Sequence, residues 1–197
     1  MKYLGRALVF AAALASAQTS PAPAAAAPPD QGKALQPVIQ QQFGSTFSLA
    51  EKFATPVVAG DFDGDGIEDI VIVANSKDPL PDSYQYKYSV EDPYNGFFGF
   101  GNPQETVGMG HVDPRENHVL LIIFGAGSDA WRASTPKAKF ALINVPFDSI
   151  QLGRMLVKKK KPPIFVIKAI EAQLSESSVY WDAKKKHWRW QPGNSID

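Results

Sequence analysis

The stretch Asp61-Phe62-Asp63-Gly64-Asp65-Gly66-Ile67-Glu68-Asp69 is the most informative part of the chain. It lies between two apolar runs, residues 56–60 and residues 70–74, which have the β-branched composition typical of strands. Gly64 and Gly66 permit the positive φ angles that a tight connection between two strands requires. The pattern therefore predicts a strand–loop–strand element.

The acidic side chains of this loop have the spacing of a metal site. Asp61, Asp63, Asp65 and Asp69 stand at loop positions 1, 3, 5 and 9, and Ile67 at position 7 offers its backbone carbonyl. Calcium takes about six to eight oxygen ligands in a flexible cage. Without a cation, carboxylates this close together would repel one another and their pKa values would rise. We therefore predict a Ca2+ site formed by these five residues.

The loop differs from an EF-hand and resembles another family. An EF-hand closes its loop with a bidentate Glu at the twelfth position and carries a helix on each side; here Ile72 stands at that position, inside a predicted strand. The sequence Gly60-Asp61-Phe62-Asp63-Gly64-Asp65-Gly66-Ile67-Glu68-Asp69-Ile70-Val71 resembles the calcium loop of FG-GAP (VCBS, integrin-like) repeats. The resemblance covers roughly 20 of the 197 residues. It implies the same calcium ligands, held between two strands. The chain contains one copy of the motif, whereas a propeller needs at least about three, so the resemblance does not extend to a propeller fold.

The N-terminal segment predicts export. Lys2 and Arg6 precede an apolar stretch at residues 7–14, and residues 15–17 form a small Ala-Ser-Ala site, so residues 1–17 are predicted to be a signal peptide. Residues 18–32 are rich in proline and alanine and predict a disordered linker. Residues 33–197 are long enough for a single globular domain. We expect a periplasmic or extracellular protein without a membrane anchor.

Charge and cysteine content restrict the function further. The chain contains no cysteine, so an exported fold must rely on its core and on bound metal instead of disulfides. Loss of two basic residues with the signal peptide would leave 18 basic against 20 acidic residues, a net charge of about −2. This balance argues against general nucleic-acid binding.

The remaining sequence predicts an α+β fold that is mainly β, with an antiparallel sheet. A short N-terminal helix is predicted from apolar residues at positions 35, 38, 39 and 43, followed by Gly44. Further strands are predicted at residues 47–53, 119–124, 139–145 and 164–170, with a C-terminal hairpin formed by residues 179–181 and 187–190. Residues 75–117 predict a long irregular excursion, ordered by its aromatic residues, with a short strand at residues 86–90.

Two basic or aromatic segments each allow two interpretations. Tyr180, Trp181, Trp188 and Trp190 crowd the C-terminal hairpin, where they could form a stacking platform for a glycan or protein ligand or could stabilise the hairpin by cross-strand pairing. The lysine run at residues 158–161 could attract an anionic polymer or a membrane surface, or could be a solvated loop that protects a strand edge. The sequence favours the second interpretation of each.

Three functions follow from these patterns. The first is an exported, non-catalytic calcium-binding domain of unknown biological role, in which calcium is structural. The alternative is a calcium-stabilised interaction module that binds glycan or protein through aromatic loops. The third is a hydrolase: Ser128 and Asp129 follow a buried strand and loosely resemble an oxyanion loop, and Glu91 and Asp92 supply carboxylates. The chain has no G-x-S-x-G nucleophile elbow, so the sequence favours a protein that is not an enzyme.

Overall fold

A computed structural model describes residues 31–76, 78–100, 118–157, 162–172 and 175–193, without the side chains of residues 31–33. The predicted signal peptide, residues 18–30 of the predicted linker, the lysine run at 158–161 and residues 101–117 of the excursion lie outside the described residues. Helix α1 spans Gln31–Phe43, so it begins inside the predicted linker. The apolar positions that predicted the helix, 35, 38, 39 and 43, all lie within it.

The strands of the described residues form two sheets. The first sheet contains β1 (Phe47–Leu49), β2 (Val57–Gly60), β3 (Asp69–Ser76), β4 (Ser89–Glu91), β5 (His118–Phe124) and β6 (Ala138–Leu142), in the order β1-β3-β5-β6-β4 with β2 also paired to β3. The second contains β7 (Ser149–Met155), β8 (Ile164–Glu171), β9 (Ser175–Asp182) and β10 (His187–Pro192), in the order β10-β9-β8-β7. Every pairing is antiparallel except that of β4 with β6. The predicted mainly β, α+β class is therefore confirmed.

The first sheet is the middle of three layers. On one face, alternate residues of β3 and β5, among them Ile72 and Leu121, pack against Ile39 and Phe43 of α1. On the other face, the intervening residues pack against the second sheet. Because both faces of β3 and β5 are buried, these strands are continuous apolar runs and do not alternate between apolar and polar residues.

Several predicted elements differ from the structure. Strand β1 ends at Leu49 and not at residue 53, because the chain turns where Phe53 N donates to Ala50 O (3.1 Å). The excursion contains two short helices, α2 (Ser83–Tyr86) and α3 (Pro93–Phe97), around strand β4, which begins three residues later than predicted. Strand β7 was not predicted at all, since its burial is only partial along most of its length.

The loops of both sheets meet at one end of the sandwich, here called the loop end. At this end β3 begins, β5 ends and β6 begins, because Ile70 pairs with Ile123 and Phe124 pairs with Ala138. The turn between β9 and β10 lies at the same end, since the Trp181 ring lies 5.2 Å from that of Phe124. The acidic loop between β2 and β3 therefore shares one end of the molecule with the β9–β10 turn.

Candidate metal centre

The acidic loop is folded by its own aspartates. Asp61 Oδ1 accepts hydrogen bonds from Gly64 N (2.8 Å) and Asp65 N (3.0 Å), and Asp61 Oδ2 accepts one from Gly66 N (2.9 Å). Asp65 Oδ1 accepts from Ile67 N (2.8 Å). Gly64 and Gly66 have φ angles of +80° and +87°, which side-chain-bearing residues rarely adopt, so the sequence meets the backbone requirement of this turn.

The loop brings three of the predicted ligands together. Asp61, Asp63 and Asp65 each place one carboxylate oxygen within 4.8 Å of the other two, a spacing at which three carboxylates can share one metal ion. Carboxylate oxygens are hard ligands that suit calcium or another hard divalent cation. The donor set of these three residues therefore fits a cation.

Lys137 is a residue of the candidate site that the sequence did not reveal. Its Nζ lies 2.5 Å from Asp63 Oδ2 and 2.6 Å from Asp65 Oδ2. The Lys137 hydrogen bond is the main reason that the pKa of Asp65 falls below its ordinary value, and the two carboxylates raise the pKa of Lys137. No spacing rule could have found this contact, because Lys137 is 74 residues from Asp63 in the sequence. The position between Asp63 and Asp65 thus attracts positive charge.

Asp69 connects the loop to the core. Its carboxylate is buried, and its oxygens accept hydrogen bonds from Phe62 N (2.8 Å) and Gly125 N (2.8 Å). Burial raises the pKa of Asp69 to about 7, although the two N–H donors act in the opposite direction. Asp69 is not one of the three clustered carboxylates. Its role as a ligand, like that of the Ile67 carbonyl, stays a prediction.

A second loop closes against the acidic loop from the end of β5. A Cβ atom at Gly125 would lie 2.8 Å from Ile67 Cγ2, so the two loops approach too closely for a larger residue. Trp131 Nε1 donates to Glu68 Oε1 (3.0 Å) from the 3-10 helix Gly127–Arg132. Ser128 and Asp129, the residues of the predicted oxyanion-like turn, are exposed members of this helix.

The rings of the C-terminal hairpin are mostly part of the core. Trp188 pairs across the strands with Trp181, with ring centroids 5.7 Å apart, and its side chain is almost fully buried. Trp190 is buried as well, and its Nε1 donates to Ser177 Oγ (2.9 Å). Tyr180 is also buried. These contacts match the cross-strand packing interpretation, and binding of a ligand by these rings stays a prediction.

A groove of about 590 Å3 lies between the edge strands of the two sheets, β4 and β10. Glu91 is partly buried there, and its Oε2 accepts a hydrogen bond from Trp188 N (2.7 Å). Burial raises the pKa of Glu91. The neighbouring Asp92 is buried and accepts hydrogen bonds from Asn95 N, Asn95 Nδ2 and Asn144 Nδ2. Asp92 therefore caps α3, whereas Glu91 connects the two edge strands.

Comparisons with protein-family models, with curated proteins and with solved structures find no match for this chain. The resemblance of the acidic loop to FG-GAP repeats therefore stays a prediction from its own residues. Among the residues that the structure describes, no helix is long and apolar enough to span a membrane.

Proposed function

We propose that the protein is an exported calcium-binding domain without catalytic activity, in which the ion has a structural role. The observation that carries this proposal is the clustering of Asp61, Asp63 and Asp65 at the tip of a hairpin that enters the core. The predicted signal peptide supports export, and the absence of cysteine leaves metal binding as a route to added stability.

Each loop residue has a distinct part in the proposal. Asp61, Asp63 and Asp65 bind the ion directly, while the Ile67 carbonyl and Asp69 complete its coordination. Asp69 also transmits the effect to the core through its hydrogen bonds to Phe62 N and Gly125 N. Bound calcium supplies two positive charges that neutralise the carboxylates. Lys137 moves away from Asp63 and Asp65, because its ammonium uses oxygens that the ion needs.

Removal of calcium tests the proposal. An ion that binds only the folded state at a hundred times its Kd stabilises it by about 2.7 kcal/mol. For a domain of this size that corresponds to a shift in Tm of about 5–10 °C. We therefore expect the melting temperature, followed by circular dichroism, to fall by this amount when EDTA replaces calcium.

Variants of the loop identify the site. Asp63→Ala and Asp65→Ala each remove a clustered carboxylate, and we expect neither variant to show a calcium-dependent Tm. Glu51→Ala is the matched control, because Glu51 is an exposed acidic residue outside the loop. An unchanged melting curve of the unsubstituted protein in EDTA, with no heat of calcium binding by calorimetry, would overturn the proposal.

The alternative, a calcium-stabilised module that binds glycan or protein, stays a prediction. One observation favours an interaction surface of some kind: the rings of Phe97, Phe98 and Phe100 are 49%, 52% and 78% exposed. A glycan array tests the glycan form directly, because a specific signal that Phe98→Ser abolishes in a folded protein would support it.

A further inference from the structure

The last residue of α3 and the segment that follows it expose three phenylalanines, Phe97, Phe98 and Phe100. Phe97, Phe98 and Phe100 form what is here called the aromatic loop, which is fixed by hydrogen bonds from Phe98 N (3.1 Å) and Phe100 N (2.9 Å) to Asn95 O. The Phe97 and Phe98 rings rest on Trp190, at centroid distances of 5.1 and 6.0 Å. Each of the three residues nevertheless remains about half exposed or more. Exposed apolar clusters of this kind mark protein or membrane contact sites.

The β9–β10 turn carries three cations side by side. Lys184, Lys185 and Lys186 are all exposed and form what is here called the lysine turn. Asp182 shapes this turn, because its Oδ1 accepts from Lys184 N (3.1 Å) and Lys185 N (3.2 Å). No carboxylate of the described residues lies within ion-pair distance of the three ammonium groups. Asp182 instead pairs with Arg189 at 3.5 Å.

The aromatic loop and the lysine turn border the same groove. Phe97 of the aromatic loop and Lys185 of the lysine turn both line it, as do the carboxylates Glu91 and Asp92. Helix α3 packs along β10, which holds the two segments in a fixed relation. The apolar aromatic loop and the cationic lysine turn therefore adjoin one groove, through Phe97 and Lys185.

We propose that these two segments form a face that docks peripherally on an anionic lipid bilayer, with Phe97, Phe98 and Phe100 entering the interface and the lysine turn contacting acidic head groups. Charge complementarity supports this partner, since Lys184, Lys185 and Lys186 have no carboxylate partner among the described residues, and Lys185 lines the same groove as Phe97. A single weak apolar or electrostatic signal gives only marginal membrane binding, whereas the two together give stable association. The acidic loop lies at the same end of the molecule as the lysine turn, so its carboxylates oppose the attraction to acidic head groups unless a cation neutralises them. The proposal needs neither a lipid anchor nor a spanning helix.

The chemistry of the aromatic loop favours lipid over a protein partner. Its rings alternate with Gly96 and Gly99 and offer no side-chain donor or acceptor to fix the orientation of a protein surface. Phenyl rings at the acyl boundary need only non-directional apolar contact. Lysine ammonium groups are compact point charges that attract anionic head groups from the aqueous side.

Vesicle co-sedimentation tests the proposal with the purified chain from which the predicted signal peptide, residues 1–17, has been removed, because that basic and apolar segment would bind vesicles by itself. We expect binding to vesicles that contain phosphatidylcholine and phosphatidylglycerol, and not to vesicles of phosphatidylcholine alone. The affinity should fall as sodium chloride is raised, because salt screens the lysine turn. Absence of binding to the acidic vesicles, or equal binding to both kinds, would overturn the proposal, even if a protein ligand of this face were found.

Substitutions at this face distinguish vesicle binding by the proposed residues from non-specific binding by the rest of the surface. Changing Lys184, Lys185 and Lys186 together to Gln should weaken binding about a hundredfold, since each lysine near an anionic surface contributes about fivefold. Phe100→Ser should also weaken binding, and this variant should fold normally because the ring is 78% exposed.

The matched controls are Tyr84→Ser and Lys52→Gln. Tyr84 is 94% exposed on α2, and α2 contacts α1 on the opposite outer layer, whereas Lys52 is an exposed lysine before β2. We expect both to bind vesicles as the unsubstituted protein does. The proposed docking face would be refuted if the two controls lost as much vesicle affinity as the lysine and Phe100 variants. It would also be refuted if the lysine and Phe100 variants, with unchanged Tm, bound vesicles as well as the unsubstituted protein does.

Discussion

Lys137 reduces the electrostatic repulsion between the carboxylates of the acidic loop. Its ammonium reaches two carboxylates at 2.5 and 2.6 Å, although its side chain is 48% exposed, while that of Asp63 is only 4% exposed. A carboxylate with so little exposure would be costly without a counter-ion. Lys137 therefore supplies one positive charge where calcium would supply two, and in the proposed site the two cations would compete for the same oxygens.

This competition yields a prediction for Lys137→Met. The variant keeps most of the aliphatic side chain but removes the charge, so the ion no longer has to displace an ammonium group. Exposed ion pairs contribute about 0.2–1 kcal/mol each, and we therefore expect calcium affinity to rise severalfold. Isothermal titration calorimetry measures it, with Lys52→Met as the control for loss of a distant lysine charge. Equal affinities of Lys137→Met and the unsubstituted protein would exclude competition.

At the scale of the elements, local patterns predicted most of the strands but not their arrangement. The strands on both sides of the acidic loop and the apolar run of β5 are continuous apolar stretches, which periodicity detects. Strand β7 escaped detection because it has Gly153 in its interior and only partial burial. The parallel pairing of β4 with β6 joins residues about 50 apart, such as Val90 and Ala141. Such long-range pairing is set by tertiary packing and has no local signal.

The candidate site likewise has a part that the local sequence predicted and a part that depends on tertiary packing. The spacing of Asp61, Asp63 and Asp65 was sufficient to predict that they cluster, because neighbouring residues of one tight loop are necessarily close. Spacing could not show that both carboxylate oxygens of Asp69 accept hydrogen bonds from backbone N–H groups. One of these donors, Gly125 N, is 56 residues away in the sequence. Spacing could not reveal Lys137 either. Both contacts depend on where β5 ends and β6 begins.

Glu91 couples the edges of the two sheets and should make stability depend on pH. Burial raises its pKa above the ordinary value of 4.5, so the folded protein holds the Glu91 proton more tightly than the unfolded chain does. The stability from this proton is fully present below pH 4.5 and is lost as the pH rises through the raised pKa. Glu91→Gln stays neutral and can still accept from Trp188 N.

We therefore expect Glu91→Gln to have a higher urea midpoint than the unsubstituted protein at pH 8, and the two midpoints to converge toward pH 4.5. Tryptophan fluorescence follows the unfolding. Glu51→Gln, at an exposed position, should keep the pH dependence of the unsubstituted protein. Parallel curves for Glu91→Gln and the unsubstituted protein would show that the Glu91 proton does not contribute.

At the scale of the whole molecule, the first sheet makes the two cores interdependent. Strands β3 and β5 send alternate side chains to α1 and to the second sheet, so neither core can form without the same backbone. The acidic loop joins this arrangement through Asp69, at the first residue of β3. Any ion that orders the loop should consequently stabilise the entire domain and not the loop alone.

The sharpest test of this interdependence is Phe43→Ala, which weakens one core while the other is observed. Phe43 is fully buried between α1 and the first sheet, in ring contact with Phe47 and Tyr88. Its truncation should cost about 3–5 kcal/mol. Trp181, Trp188 and Trp190 lie in the opposite core, between the sheets. The measurement uses a Trp131→Phe background, because Trp131 packs against the same core as Phe43. If the cores unfold as one unit, fluorescence of the three remaining tryptophans and far-ultraviolet circular dichroism will give the same lowered urea midpoint. A separate early loss of helical signal, with the fluorescence midpoint unchanged, would show instead that α1 unfolds independently of the two sheets.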